Sequence, residues 1–137
     1  MNKNLAEKIF EQCPIIYRSR HDKSTIVGSW GFECNEGWGE IIYNLSLELE
    51  TLAKKEVESG VPLSSVIEVR QVKQKFAQLR FYVSSTNDAV FDLISHYEQI
   101  ALKTCEFCSE LGSKIEINGY YCVACPKCKK SQSSRDY

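Results

Sequence analysis

The sequence predicts an α+β fold: two long helices packed on a β-hairpin or small antiparallel sheet, closed by a C-terminal knuckle of four cysteines. Three observations carry that expectation. Two segments, 38–59 and 85–105, repeat apolar residues with the period of a buried helix face. Between them, residues 65–84 hold two β-rich runs that read as paired strands. Beyond them, Cys-x-x-Cys motifs recur within residues 105–128. The expected organisation is an α+β core over residues 1–104 with a knuckle over 105–130 packed on it, one compact domain overall.

A chain of 137 residues is long enough for one domain with a real core and too short for two ordinary ones. Hydrophobic residues make up 43% and charged residues 26%, the composition of a soluble globular protein. The formal net charge of −1 does not advertise a strongly basic nucleic-acid binder, although it leaves room for local basic patches. No apolar run approaches the roughly 18–20 residues that cross a bilayer, so no membrane partner is expected. The opening MNKNLAEKIFEQC has charges spaced through it and no apolar stretch, so it does not read as a signal peptide. The expected location is the cytosol. There thiols stay reduced, and clustered Cys-x-x-Cys pairs read as metal ligands rather than disulfides.

Along the chain, Leu5, Ala6, Ile9, Phe10 and Cys13 form the stripe of a short amphipathic helix that stops before Pro14. Residues 14–34 read as an irregular, aromatic loop with a short extended piece at Ile26 and Val27. Asn35 is a suitable N-cap for the next helix, whose stripe is Ile41, Ile42, Leu45, Leu49, Leu52 and Ala53. Gly60 and Pro62 end it near Ser59. SVIEVRQVK at 65–73 reads as a strand. QLRFYVS at 78–84 alternates, with Leu79, Phe81 and Val83 on one face and Arg80 and Tyr82 on the other. The second long helix takes Ser85 or Thr86 as its cap and buries Val90, Leu93, Ile94, Tyr97, Ile100 and Ala101. After Cys128 the polar tail KKSQSSRDY reads as frayed.

Cys105/Cys108 and Cys125/Cys128 are two Cys-x-x-Cys pairs with sixteen residues between them, a spacing used by zinc sites. Two thiolates three residues apart on a tight turn occupy two corners of a tetrahedron, and a hairpin brings the second pair back. The spacer supplies that hairpin, with alternating Ile115 and Ile117 and then Asn118-Gly119 as a turn signal. Cys122 also forms a Cys-x-x-Cys pair with Cys125, so a second ligand set stays open. Three features favour Cys125 and Cys128: the stiff Cys-Pro-Lys-Cys turn, the strand character of the residues around Cys122, and the lysines at 103, 127, 129 and 130, which offset the net −2 of four thiolates on a divalent ion. Cys122 then reads as a small buried hydrophobe. Zinc is the expected metal, and iron takes the same ligands. Cys13 reads as core, and Cys34 as buried or, before a helix N-terminus, as a reactive thiol. His21 and His96 read as solvated or partly exposed.

WGFECNEGWGEIIYNL at 30–45 resembles the WGFECGDGW(F/Y)DII signature of a family of small uncharacterised phage and prophage proteins. VRQVKQKFAQLRFYVSS at 69–85 resembles that family's QVKEKFGGLRFY, and the closing CEFC and CPKC resemble its terminal cysteine pairs. The resemblance covers about residues 15–130. The chain departs from it at Asn35-Glu36, where Gly-Asp is usual, and at Ala77-Gln78, where Gly-Gly is usual. It implies a phage accessory protein acting in the host cytosol. Three functions are expected in order. The first is non-enzymatic binding of a host protein, such as inhibition of CRISPR or another defence. Its contact groups would be Trp30, Phe32 and Trp38 together with Arg70, Lys73, Lys75, Arg80 and Tyr82. The second is nucleic-acid or nucleotide binding by the same basic row, with a base stacked on Tyr82 and a phosphate on Arg80. The third is an enzyme using His21, Glu33, Cys34 and Glu36 around the Trp30–Trp38 loop.

Overall fold

The computed structural model describes residues 1–85 and 87–133. Helix α1 spans Lys3–Gln12, capped by the Asn2 carboxamide, whose Oδ1 accepts from the Asn4 and Leu5 N–H groups. The following stretch is held in place by two buried side-chain systems. The Glu50 carboxylate accepts from the Ile15 and Ile16 N–H groups at 3.1 and 3.0 Å. The Arg18 guanidinium donates to the Ile15, Leu63, Val66 and Ile67 carbonyls at 2.8–2.9 Å. Backbone groups that leave regular structure must find partners when buried, and these two charged side chains supply them. The expectation of an extended piece at Ile26 and Val27 is corrected here. Ile26–Trp30 is a one-turn helix, α2, because Thr25 caps it by accepting from the Gly28 N–H at 3.0 Å. A two-residue strand, β1 (Phe32–Glu33), follows.

Asn35 does not cap the long helix with its side chain. It precedes a 3₁₀ turn at Glu36–Trp38, makes no side-chain cap bond, and sends its amide elsewhere. Helix α3 then runs from Gly39 to Glu58, 20 residues. It ends as expected at Ser59 and Gly60, where the Gly60 N–H bonds the Val57 carbonyl and the Val61 N–H bonds the Glu56 carbonyl, the paired bonds of a Schellman stop. Leu45, Leu49 and Ala53 are fully buried on its inner face, and Leu52 is half-buried.

Strand β2 is Glu68–Lys75, later than expected by a few residues, and β3 is Gln78–Ser84. They pair antiparallel, and β1 adds to β2 in parallel, so the sheet has three strands in the order β1-β2-β3 and is mixed rather than purely antiparallel. Val72, Leu79 and Phe81 point into the core, as strand alternation requires. A register shift between Val69 and Gln71 leaves Arg70 as the extra residue of a bulge. The β2–β3 turn is the two-residue pair Phe76 and Ala77, both in the left-handed region at φ 51° and 66°.

Helix α4 is Asp88–Ala101, 14 residues. Its cap is Asn87, whose Oδ1 accepts from the Ala89 N–H, and not Ser85, whose hydroxyl instead accepts from the Asn87 N–H; Thr86 lies outside the described residues. Val90, Ile94 and Ala101 are buried and Leu93 and Tyr97 half-buried, but Ile100 is exposed. Glu98 on α4 accepts from the Phe81 N–H at 3.2 Å and so covers part of the outer edge of β3. A second sheet of two strands, β4 (Ser113–Ile117) and β5 (Tyr120–Ala124), turns at Asn118-Gly119. Residues 126–133 form helix α5, so this part of the polar tail is helical; residues 134–137 lie outside the described residues. No helix among the described residues is long and apolar enough to cross a membrane. The main core gathers Ile9, Ile16, Tyr17, Trp38, Leu45, Val72 and Val90, while Cys105, Ile117, Cys122, Ala124 and Cys125 form a second, smaller one.

The left-handed turn yields a prediction. Phe76 is 61% exposed and a bulky side chain at positive φ is strained, whereas Asn adopts that conformation readily. Phe76→Asn should therefore raise stability by about 0.5–1 kcal/mol in thermal denaturation. A lower midpoint would show that the ring contributes more in place than the turn loses.

Candidate metal centre

The end of α4 leads through one turn into Cys105. The Cys105 N–H donates to the Glu110 carbonyl at 2.7 Å, and the Ser109 N–H returns to the Cys105 carbonyl at 3.0 Å. This knuckle aims the Cys105 and Cys108 sulfurs the same way. The other pair sits where β5 becomes α5. Cys125 is the single residue between β5 and α5, Pro126 opens the helix with a φ suited to that position, and Cys128 lies in its first turn. The Cys128 N–H points at the Cys125 sulfur at 3.4 Å, so Cys125 takes the place of a capping side chain.

The sulfurs of Cys105, Cys108, Cys125 and Cys128 all lie within 4.8 Å of one another, and those of Cys108 and Cys125 are 3.6 Å apart. Four thiolates bound to one ion at about 2.3 Å have their sulfurs about 3.8 Å apart, so this cluster can hold a metal ion with little movement. The thiols differ in acidity. Cys125 is pulled down to about 7, first by the Cys128 N–H. Cys128 is pushed up, first by burial and then by the neighbouring sulfurs. Cys122 stands apart from the four: it is buried on β5 opposite Ile115, and burial pushes its thiol up to about 11.

The knuckle is joined to the core through a residue that sequence reading missed. Glu106 lies between two candidate ligands and is only 3% exposed. Its carboxylate accepts from Asn35 Nδ2 at 3.1 Å, Gln74 Nε2 at 3.1 Å and the Val123 N–H at 3.3 Å. Its backbone donates to the Val123 carbonyl at 2.9 Å and accepts from the Gly37 N–H at 2.8 Å. Burial pushes its carboxyl upward, against the pull of those donors. A Cβ on Gly37 would stand 2.2 Å from the Cys105 carbonyl oxygen, so glycine alone permits this approach. Nearby, Trp38 Nε1 donates to the Thr104 carbonyl at 2.9 Å, and Ser109 Oγ donates to the Gly37 carbonyl at 2.8 Å. The sequence signal for all this was weak, because an acidic residue inside Cys-Glu-Phe-Cys reads as solvated.

The expected contact residues separate. Trp38 is corrected: it is fully buried, because its indole N–H is needed at Thr104 and its ring fills the main core. Trp30 is 72% exposed at the end of α2. Phe32 is half-buried, stacked on Phe10 with ring centroids 5.1 Å apart. Lys73 lies directly opposite Arg80, and Gln71 opposite Tyr82, on the sheet face turned away from Val72 and Phe81. Tyr82 and Lys75 are exposed. Arg80 is only half-exposed, and its Nε is buried with no hydrogen-bond partner, so it is less outward than alternation implied. Arg70 is exposed at the bulge, 3.4 Å from the Glu68 carboxylate. Cys34 is half-buried, and burial pushes its thiol up to about 12, which counts against the reactive-thiol reading.

Comparison with protein-family models, with curated proteins and with solved structures found no match to the chain. Fold and site together define an α+β protein with a four-cysteine candidate metal centre.

Glu106→Ala should cost about 2–4 kcal/mol, since it strips a buried carboxylate from several donors. Hydrogen exchange should quicken across residues 113–124 while the four cysteines keep their metal-binding capacity. Unchanged exchange in that hairpin would show that Glu106 does not hold the knuckle to the core.

Proposed function

We propose that the chain is a non-enzymatic phage accessory protein, a zinc-stabilised binding module that engages a host protein and blocks a defence such as CRISPR. Four thiolates close the coordination sphere and leave no position for water or substrate, which supports a structural role for the zinc. The ribbon-like hairpin between the two cysteine pairs is the usual frame for such a site. The observation that carries the binding reading is the outer sheet face, where Tyr82 and Lys73 lie exposed or half-exposed beside Arg80, with exposed Trp30 at the end of α2 just before β1, the strand that pairs with β2. Tyrosine, tryptophan and arginine are the residues most often dominant at protein interfaces. The phage context rests on the motif resemblance at 30–45 and 69–85.

A second reading has its own observation. Lys73 and Arg80 are like charges directly opposite across two strands, an arrangement that disfavours the sheet unless an anion lies over it. Glu33 pairs with Lys73 on its other side and offsets part of that repulsion. A nucleic-acid phosphate is the alternative occupant of this row.

Elemental analysis should find about one zinc per chain. Cys105→Ser or Cys128→Ser should lose it and Cys122→Ser should retain it. Full occupancy in Cys128→Ser with loss in Cys122→Ser would overturn the ligand set, and a coloured protein containing iron would overturn the metal. Chelation should unfold residues 105–133 before the rest, since structural zinc contributes about 10–16 kcal/mol in small finger peptides.

The face is tested with Lys73→Ala/Tyr82→Ala, which spares the partly buried Arg80. This variant should stay folded and metal-loaded yet lose the host protein that the parent captures. Undiminished capture would remove the sheet face from the reading. Salt-sensitive retention on a nucleic-acid column, lost in the same variant, would favour the second reading.

A further inference from the structure

A cleft of about 590 Å³ separates the β4–β5 hairpin from β1 and the end of β2. It lies away from the sulfur cluster. Glu33, Asn35, Gln74, Glu106, Asn118 and Gln132 supply its polar lining beside the tyrosines at 120 and 121. No lysine, arginine or histidine lines it among the described residues.

The hydrogen bonds decide what this cleft can hold. Gln74 Nε2 lies between two acceptors, the Glu106 carboxylate at 3.1 Å and the Tyr121 carbonyl at 2.8 Å. That fixes the amide orientation and leaves Gln74 Oε1 without a hydrogen bond. Asn35 directs Nδ2 to Glu106 in the same way, leaving its own Oδ1. One Glu33 oxygen accepts from Gln71 Nε2 at 3.1 Å, and the other is uncommitted. The lining therefore offers acceptors in the second Glu33 oxygen, Gln74 Oε1 and Asn35 Oδ1, and negative charge in the buried Glu106 carboxylate, whose oxygens already accept from Asn35, Gln74 and Val123; the Asn118 and Gln132 amides offer donors as well as acceptors. An anion would meet repulsion there, and an apolar group would leave the acceptors unsatisfied. The carboxylates do not gather as a divalent-ion site, since the cysteine cluster is the one group of potential ligands that converges among the described residues. One aromatic ring remains open: the Tyr120 ring, 76% exposed, has no ring or cation contact among the described residues, whereas the Tyr121 ring already carries Lys114 Nζ at 4.9 Å.

We propose that this cleft binds a guanidinium group. A guanidinium is planar, carries five N–H donors, stacks on aromatic rings and pairs with carboxylates in a fixed fork. Those properties match a negatively charged lining beside the open Tyr120 ring better than the compact ammonium of lysine does. The group comes either from a free arginine-like metabolite or from an arginine side chain on a protein. The cleft shares Glu33 with the outer sheet face, where that residue lies beside Lys73 and Gln71, but Lys73, Arg80 and Tyr82 do not line it.

The test is an NMR titration of the zinc-loaded full chain with N-acetyl-arginine amide, with the matching lysine and citrulline compounds as controls. Citrulline keeps the shape and loses the charge. The expected result is saturable shifts at Asn35, Gln74, Glu106, Tyr120 and Tyr121, with the lysine compound at least about tenfold weaker and citrulline weaker still. Glu33→Gln and Tyr120→Ala, both at exposed positions, should each weaken binding about tenfold with metal content and melting temperature unchanged. Free arginine and agmatine are compared with a capped arginine tripeptide, and the tighter arm identifies a metabolite or a protein source. Absence of saturation at millimolar arginine compound, equal binding of citrulline, or shifts that both variants leave intact would overturn the proposal.

Discussion

The contact at Glu106 ties together parts of the chain that are far apart in sequence. Its carboxylate draws Asn35 from the entry to α3, Gln74 from β2 and the Val123 N–H from β5 onto one buried point. Its backbone joins Gly37 and Val123. A buried carboxylate with too few donors would be costly, and one with this many makes each donor's position depend on the others. The hairpin that carries the second cysteine pair is thereby docked on the main sheet before any ion is considered. The orientation of the candidate metal centre, the cleft beside it and the burial of Trp38 all follow from that docking.

The sulfur cluster and the Glu106 contact act on the same element from opposite sides. Cys105 and Cys108 flank Glu106, so one turn sends two sulfurs to the cluster and a carboxylate to Asn35, Gln74 and Val123. A metal ion held by the four cysteines would close the chain from residue 105 to residue 128, and the carboxylate fixes that loop to the core. Neither contact alone would do both. This division also explains why two hydrophobic clusters form: the knuckle residues are few, and apart from Val123, which joins the larger core, they bury against their own hairpin and the cysteine sulfurs.

A related device orders the N-terminal third. Residues 14–25 contain little regular structure, yet they are not loose, because Glu50 receives two of their N–H groups and Arg18 bridges four carbonyls. Charged side chains bonded to backbone act here where a sheet or helix would otherwise supply partners. The rigid base they form sets β1 beside β2. That is the step that turns a hairpin into a three-stranded sheet, with Tyr82, Lys73 and Arg80 on its outer face.

Several features were legible in the residues alone, because local patterning determined them. The 3.6-residue stripe of α3 and its stop at Gly60, the alternation of Leu79, Arg80, Phe81 and Tyr82, the Asn118-Gly119 turn and the spacing of the four cysteines depend on near neighbours. Folding kept each of them, apart from drawing the Arg80 Nε into the protein. Other features depended on partners that no local pattern names. Glu106, Glu50 and Arg18 are charged and read as solvated, and only the long-range donors and acceptors they meet make burial favourable. Trp38 became core and Trp30 did not because the Thr104 carbonyl lies within reach of one indole and not the other. Ile26–Trp30 became a helix through a threonine cap that the β-branched pair at its start concealed. The parallel strand β1 is two residues long, too short to carry a period, and exists because β2 offers it an edge. Sequence by itself determined the elements and the ligand spacing, since both are short-range. Tertiary structure decided which charges are buried, which aromatics face out and where the cleft opens, since each of those is settled by groups tens of residues apart.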